Sequence, residues 1–255
     1  MELPKIILGI PGFWKTRNEF KEAMAKKGNG YIYFGKHIGN FEKPDEFFEI
    51  EISDYNNYVA EAFEIAGNGS FSKDDINNLK KHDSIVYIIS EGGTLENVLR
   101  IMEVASAVLH AGGIAVNVES SGRACTKKDW LDITNNKEIK KVFTAFIQMS
   151  RDDNFFYTTG MQNFGYPDVI TTTEGITAAE VEQLFKVFCL YSLIEKPKIN
   201  DGETFSLDPN APIYLLKKEN CTMFEEDDLF FNPFGIWNLI RHHQPKRLKS
   251  IDYSH

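Results

Sequence analysis

Two short stretches gather the residue types that chemistry needs. Glu91-Gly92-Gly93-Thr94 follows the apolar run Ile85 to Ile89 and precedes a helical pattern. Its two glycines let a backbone approach a ligand closely, and the free N–H groups of a helix start favour an anion. Glu119-Ser120-Ser121-Gly122-Arg123-Ala124-Cys125 collects a carboxylate, two hydroxyls, a guanidinium and a thiol within seven positions. The candidate ligand-binding residues are therefore Glu91, Gly92, Gly93, Thr94, Glu119, Ser120, Ser121, Arg123 and Cys125. Glu91 or Glu119 would be the acid–base group of an enzyme, and Cys125 would need a base to become a nucleophile.

Each stretch also has a plainer account. Glu91-Gly92-Gly93-Thr94 matches neither GxGxxG nor GxxxxGK[ST], so it reads equally as a tight turn with Thr94 as helix N-cap. The Glu119 stretch reads equally as a polar loop leading into a capped helix. Ile10-Pro11-Gly12-Phe13-Trp14 could wall a pocket, although aromatic burial alone accounts for it. The acidic run Glu225 to Asp228 reads as solvated loop. The adjacent His242 and His243 lack metal-ligand spacing, and no metal site or cofactor is expected.

The elements that must position these residues follow from hydrophobic periodicity. Ile6 to Ile10 is a buried strand; Thr16 and Glu19 fit a capping box opening a helix through Met24. Tyr31 to Phe34 and Phe47 to Ile52 read as strands, the second alternating apolar with glutamate. Helices at Asn57 to Ala66 and after Ser72 precede the strand Ile85 to Ile89. Thr94 to His110 repeats apolar residues at spacings of three and four and stops at Gly112-Gly113, and Ile114 to Val118 is the next strand. Thr126 opens a short helix; Val142 to Met149 and Phe155 to Thr159 read as strands joined by the Arg151 to Asn154 turn. Thr177 and Glu180 open a helix to Ile194 that is apolar on most sides. Thr204 to Leu207 and Ile213 to Lys217 read as edge strands, and Lys246 to His255 as a fraying tail.

This order predicts an α+β fold of two fused ferredoxin-like (βαββαβ-type) halves, with mixed or antiparallel sheets and helices packed on them. The pseudo-halves are 1–90 and 84–220 within a single body 1–255, joined through Ser84 to Gly122, with a C-terminal docking segment at 221–245. The apolar helix makes a homodimer possible. A formal charge of −9 disfavours binding to a phosphate backbone, so nucleic acid is not an expected partner. Three widely spaced cysteines support neither a disulfide framework nor a zinc site, which suits a reducing cytoplasm. No apolar run reaches the ~20 residues of a membrane span, and the N-terminus lacks the pattern of a signal peptide.

With those residues in view, the chain resembles a bacterial family of unknown function, domain of unknown function 4261. The resemblance rests on GIPGFWKTRNEF at Gly9 to Phe20, EGGTLENVLRIMEVASAVLHAGGIAV at Glu91 to Val116, ESSGRACTKKDW at Glu119 to Trp130 and TTGMQNFGYPD at Thr158 to Asp168. It implies a bacterial cytosolic protein and carries no activity, cofactor or catalytic residue. The expectation is a non-enzymatic binding or regulatory protein with a protein or small-molecule partner. The alternative is a small-molecule enzyme or ligand-binding protein using the turns at Glu91–Thr94 and Glu119–Cys125.

Overall fold

The computed structural model describes residues 3–242 and gives a mixed α+β architecture with seven α-helices and two sheets among them. The first sheet is antiparallel throughout, in the order β2-β3-β4-β5-β1-β6-β7. Its strands are β1 (Lys5–Gly12), β2 (Tyr31–Phe34), β3 (His37–Asn40), β4 (Lys43–Asp54), β5 (Ser84–Glu91), β6 (Ala115–Val118) and β7 (Arg123–Thr126). The second runs β11-β12-β13-β10-β9-β8, with only β10 and β13 parallel. It is built from β8 (Gln148–Arg151), β9 (Phe155–Thr159), β10 (Asp168–Thr172), β11 (Thr204–Phe205), β12 (Tyr214–Glu219) and β13 (Ile236–Arg241).

Alternation decides which face of the first sheet is covered. Ile6, Leu8 and Ile10 of β1, with Val86 and Ile88 of β5, point into a large core shared with α1 (Arg17–Lys27) and α4 (Leu95–His110). That core continues through α5 (Lys127–Asn136), α6 (Ile139–Phe146) and α7 (Ala178–Glu195) to Phe156, Val169, Leu216 and Trp237 of the second sheet. The other face carries a smaller cluster, in which α2 (Val59–Ala66) and α3 (Lys73–Leu79) cover Ile85, Ala115 and Ala124. Side-chain caps fix several helix starts. Thr16, Ser72, Thr94, Thr126 and Thr177 each accept a hydrogen bond from the backbone N–H three residues on. None of the helices described is long and apolar enough to cross a membrane.

Ser84 to Gly122 contributes both β5 and β6 to the first sheet, on either side of β1. Several expectations are corrected. Val142 to Met149 is not a strand. Val142, Phe143 and Phe146 recur at helical spacing and form the buried side of α6, and the strand begins only at Gln148. Arg123 to Thr126 is a strand rather than a loop, hydrogen-bonded to β6. Within the expected docking segment, Ile236–Arg241 is an internal strand between β12 and β10. The second sheet therefore reads β-β-β-α-β-β-β in chain order, which differs from the expected βαββαβ. The tail Lys246 to His255, like His243, lies outside the described residues.

Candidate functional site

The Glu91–Thr94 turn spends its amides on the protein itself. Gly92 N donates to Pro4 O at 2.7 Å and Gly93 N to Asn163 O at 2.9 Å. Thr94 Oγ1 accepts from Asn97 N at 3.1 Å, and Asn97 Nδ2 donates to Gly92 O at 3.0 Å. Gly93 has φ +81°, and a Cβ on Gly92 would sit 3.0 Å from both Ile6 and Pro4 O. The glycines serve a turn and close packing, so an anion cradle there is already filled. Glu91 is exposed at the strand end.

The second stretch meets the same neighbour. Ser120 Oγ donates to Asn163 Oδ1 at 3.0 Å, and Gln162 Nε2 donates to Ser120 O at 2.7 Å. Ser121 accepts at its carbonyl from Thr159 Oγ1 at 2.7 Å. A 3-10 turn, Met161–Phe164, thus binds both turns at once and occupies the place where they converge. Asp168 locks that turn. It is fully enclosed and accepts from Thr158 Oγ1 at 2.8 Å, Asn232 Nδ2 at 2.6 Å and Met161 N at 3.3 Å. Burial dominates over those three hydrogen bonds and pushes its carboxyl up to about 7. Cys125 is buried under α6 with Sγ 4.0 Å from Ala145 O, and burial pushes its thiol up to about 12. Such burial disfavours the thiolate that a nucleophile requires.

Glu119 and Arg123 lead elsewhere, into the seam between the edge of the first sheet and β8 and β9. Successive residues of this turn diverge to opposite faces, so the seam has two lobes that share Gln148 and Ser150 in their walls. The first, of about 440 Å³, contains Asn117, Glu119, Tyr157 and Thr159, with Phe224 and Phe230 at its mouth. Gly9 makes room for the Glu119 carboxylate: a Cβ there would lie 2.5 Å from Glu119 Oε1. Burial raises the Glu119 carboxyl above its ordinary value, and a hydrogen bond from the Asn117 side chain only partly opposes this. Desolvation, then the neighbouring Glu119, raises the Tyr87 hydroxyl as well. The second lobe, of about 330 Å³, is lined by Arg123, Arg151 and Lys186 against Phe143, Phe156 and Phe185.

Three buried side-chain polar atoms among the described residues lack a hydrogen-bond partner, and two of them belong to residues that line this seam. They are Asn117 Oδ1, an acceptor, and Arg123 Nε, a donor; the third is Asn163 Nδ2. No group of three or more His, Cys, Asp or Glu among the described residues is arranged to hold a metal.

Residues 157–230 match the model of a family described as Domain of unknown function (DUF4261). Over this stretch the chain is similar to that family. No curated protein and no solved structure matches the chain. The matched stretch supplies Tyr157, Thr159, Phe224 and Phe230 to the first lobe, and also the 3-10 turn and Asp168. The first sheet supplies Asn117, Glu119 and Arg123. Of the residues expected from sequence, Glu119 and Arg123 line the seam, with Ser121 and Gly122 at its edge; Gly92, Gly93, Thr94 and Ser120 hydrogen-bond within the fold, Cys125 is buried and Glu91 is exposed. Asn117, Gln148, Ser150 and Tyr157 escaped the sequence reading. Asn117 was legible as the lone polar residue in Ala115-Val116-Asn117-Val118, while Gln148 and Ser150 were hidden by the misplaced strand.

Proposed function

We propose that this protein is a cytoplasmic, non-enzymatic binding protein whose ligand is a small molecule held in the seam between its two sheets. One observation carries the reading: an orphaned buried acceptor, Asn117 Oδ1, and an orphaned buried donor, Arg123 Nε, belong to residues that line the two lobes of this seam. Each such atom costs about 1–3 kcal/mol while unpaired, and a bound molecule offering the complementary groups removes that cost. The lobes fall within the ~300–1,000 Å³ usual for small-molecule sites and combine aromatic walls with a few polar groups. Binding is favoured over covalent catalysis because Cys125 is shut into the core and the Ser120 and Ser121 hydroxyls are already engaged. The sheet order β4-β5-β1-β6, with α1 and α4 on its inner face, also supports reading the first sheet as a ferredoxin-like unit carrying additional strands.

Thermal-shift measurements across nucleotides, sugar phosphates, carboxylates and neutral metabolites test the function, since a ligand of the folded state raises the melting temperature. At least one class should give a rise that Asn117→Ala abolishes. Flat curves in every class would sink the proposal. Glu119 supports a second reading, because a carboxyl raised by burial suits a general acid. Turnover of a bound ligand, lost in Glu119→Gln with binding retained, would replace the first reading with this one.

A further inference from the structure

We infer that the second lobe of the seam is an anion site, in which Arg123, flanked by Arg151 and Lys186, takes the carboxylate or phosphate group of a small aromatic ligand. The inference rests on the seam being a ligand site, but it can fail separately. In a chain of net charge −9, three cations around one lobe call for a reason. None of the three has an ion-pair partner among the described residues. Arg151 lies over the Phe156 ring at 5.2 Å, which steadies its charge without neutralising it. Among the described residues, the only carboxylate lining the lobe is that of Glu182, which is exposed. On its other side Arg123 borders a cavity that contains Asp129 and Asp132. Neither forms an ion pair with Arg123: Asp132 pairs with Lys141 at 3.1 Å, and Asp129 accepts from Thr126 Oγ1 at 2.8 Å as part of the helix cap.

Arg123 differs from an ordinary solvated surface arginine because its Nε is buried and unpaired. A guanidinium presents a planar fork of donors that matches the two oxygens of a carboxylate or phosphate, and such charge-assisted bonds are roughly twice as strong as neutral ones. Phe143, Phe156 and Phe185 supply the apolar wall for an aromatic ring beside it. The first lobe is the poorer place for negative charge. It holds Glu119, and the loop joining its two phenylalanines carries the exposed run Glu225 to Asp228.

Isothermal titration at low salt with phenyl phosphate, benzoate and neutral benzamide provides the test. Both anions, or one of them, should bind about tenfold or more tightly than benzamide, and Arg123→Gln should weaken them by about tenfold or more. Asn117→Ala should leave these small anions unaffected. Tighter phenyl phosphate points to a phosphate ligand, and tighter benzoate to a carboxylate. The exposed double substitution Arg151→Gln/Lys186→Gln, which leaves the core intact, should weaken anion binding several-fold and reduce its salt dependence. This keeps the test available if Arg123→Gln fails to fold. Affinity for both anions no higher than for benzamide, unchanged binding in these variants, or no binding of either anion at about 10 mM would overturn the anion site. A neutral metabolite that still raises the melting temperature through Asn117 would then leave the seam as a ligand site without the anion lobe.

Discussion

Asp168→Asn should remove a pH dependence of stability that has an unusual sign. The carboxyl titrates at 3.8 when free and is pushed up to about 7 in the fold, with burial as the leading cause. The folded protein therefore keeps this proton across a window in which the unfolded chain has released it. Stability from this site is fully present below about pH 3.8 and is lost as pH rises through about 7. The span corresponds to about 4 kcal/mol. Asp168 is 4% exposed, so solvent screening reduces that little. Urea unfolding of both proteins at several values between about pH 4 and pH 8 measures it, with the difference between them cancelling the other titrating groups. The substitution also disturbs the hydrogen bonds from Thr158, Asn232 and Met161, which adds an offset independent of pH. The expected difference is thus a slope on top of an offset: the wild type loses ground as pH rises and the variant does not. A difference that stays flat from about pH 4 to pH 8 would falsify the neutral, enclosed carboxyl.

Three further outcomes are expected. Gly9→Ala should cost about 1–3 kcal/mol in urea unfolding, because its Cβ would stand 2.5 Å from Glu119 Oε1; adding Glu119→Ala should recover most of the loss, and additive effects would refute the contact. A thiol reagent should modify the half-buried Cys221 first in the native protein, with Cys125 and Cys189 reacting only on unfolding; rapid modification of Cys125 would contradict its enclosure. Lys127→Met should lower stability by about 1–2 kcal/mol, because Lys127 Nζ donates to Leu109 O and Gly113 O at the end of α4, and an unchanged unfolding midpoint would refute that role.

Local signals were legible in the sequence where one physical cause dominated. The capping threonines and serine, the glycine stop after His110 and the alternation in β4 all fix local structure by short-range chemistry. Val142 to Met149 failed because a short apolar run satisfies both periods, and only its packing under β7 selects the helix. Ile236–Arg241 failed because a strand that pairs parallel with β10 has no local turn to announce it. The site divided in the same way. Glu119 and Arg123 were conspicuous by type, whereas the 3-10 turn that closes off Ser120 and Glu91–Thr94 arrives from 43 residues away at Ser120–Asn163 and 70 at Gly93–Asn163.

The seam's two kinds of wall come from different parts of the chain, and this bears on what can be inherited. The matched stretch contributes the aromatic mouth and the plug that fixes the turns, while the residues with unpaired polar atoms in the seam, Asn117 and Arg123, precede it. A protein sharing only residues 157–230 would keep one wall of the seam and lack Asn117 and Arg123, the residues that the proposed reading assigns to ligand recognition.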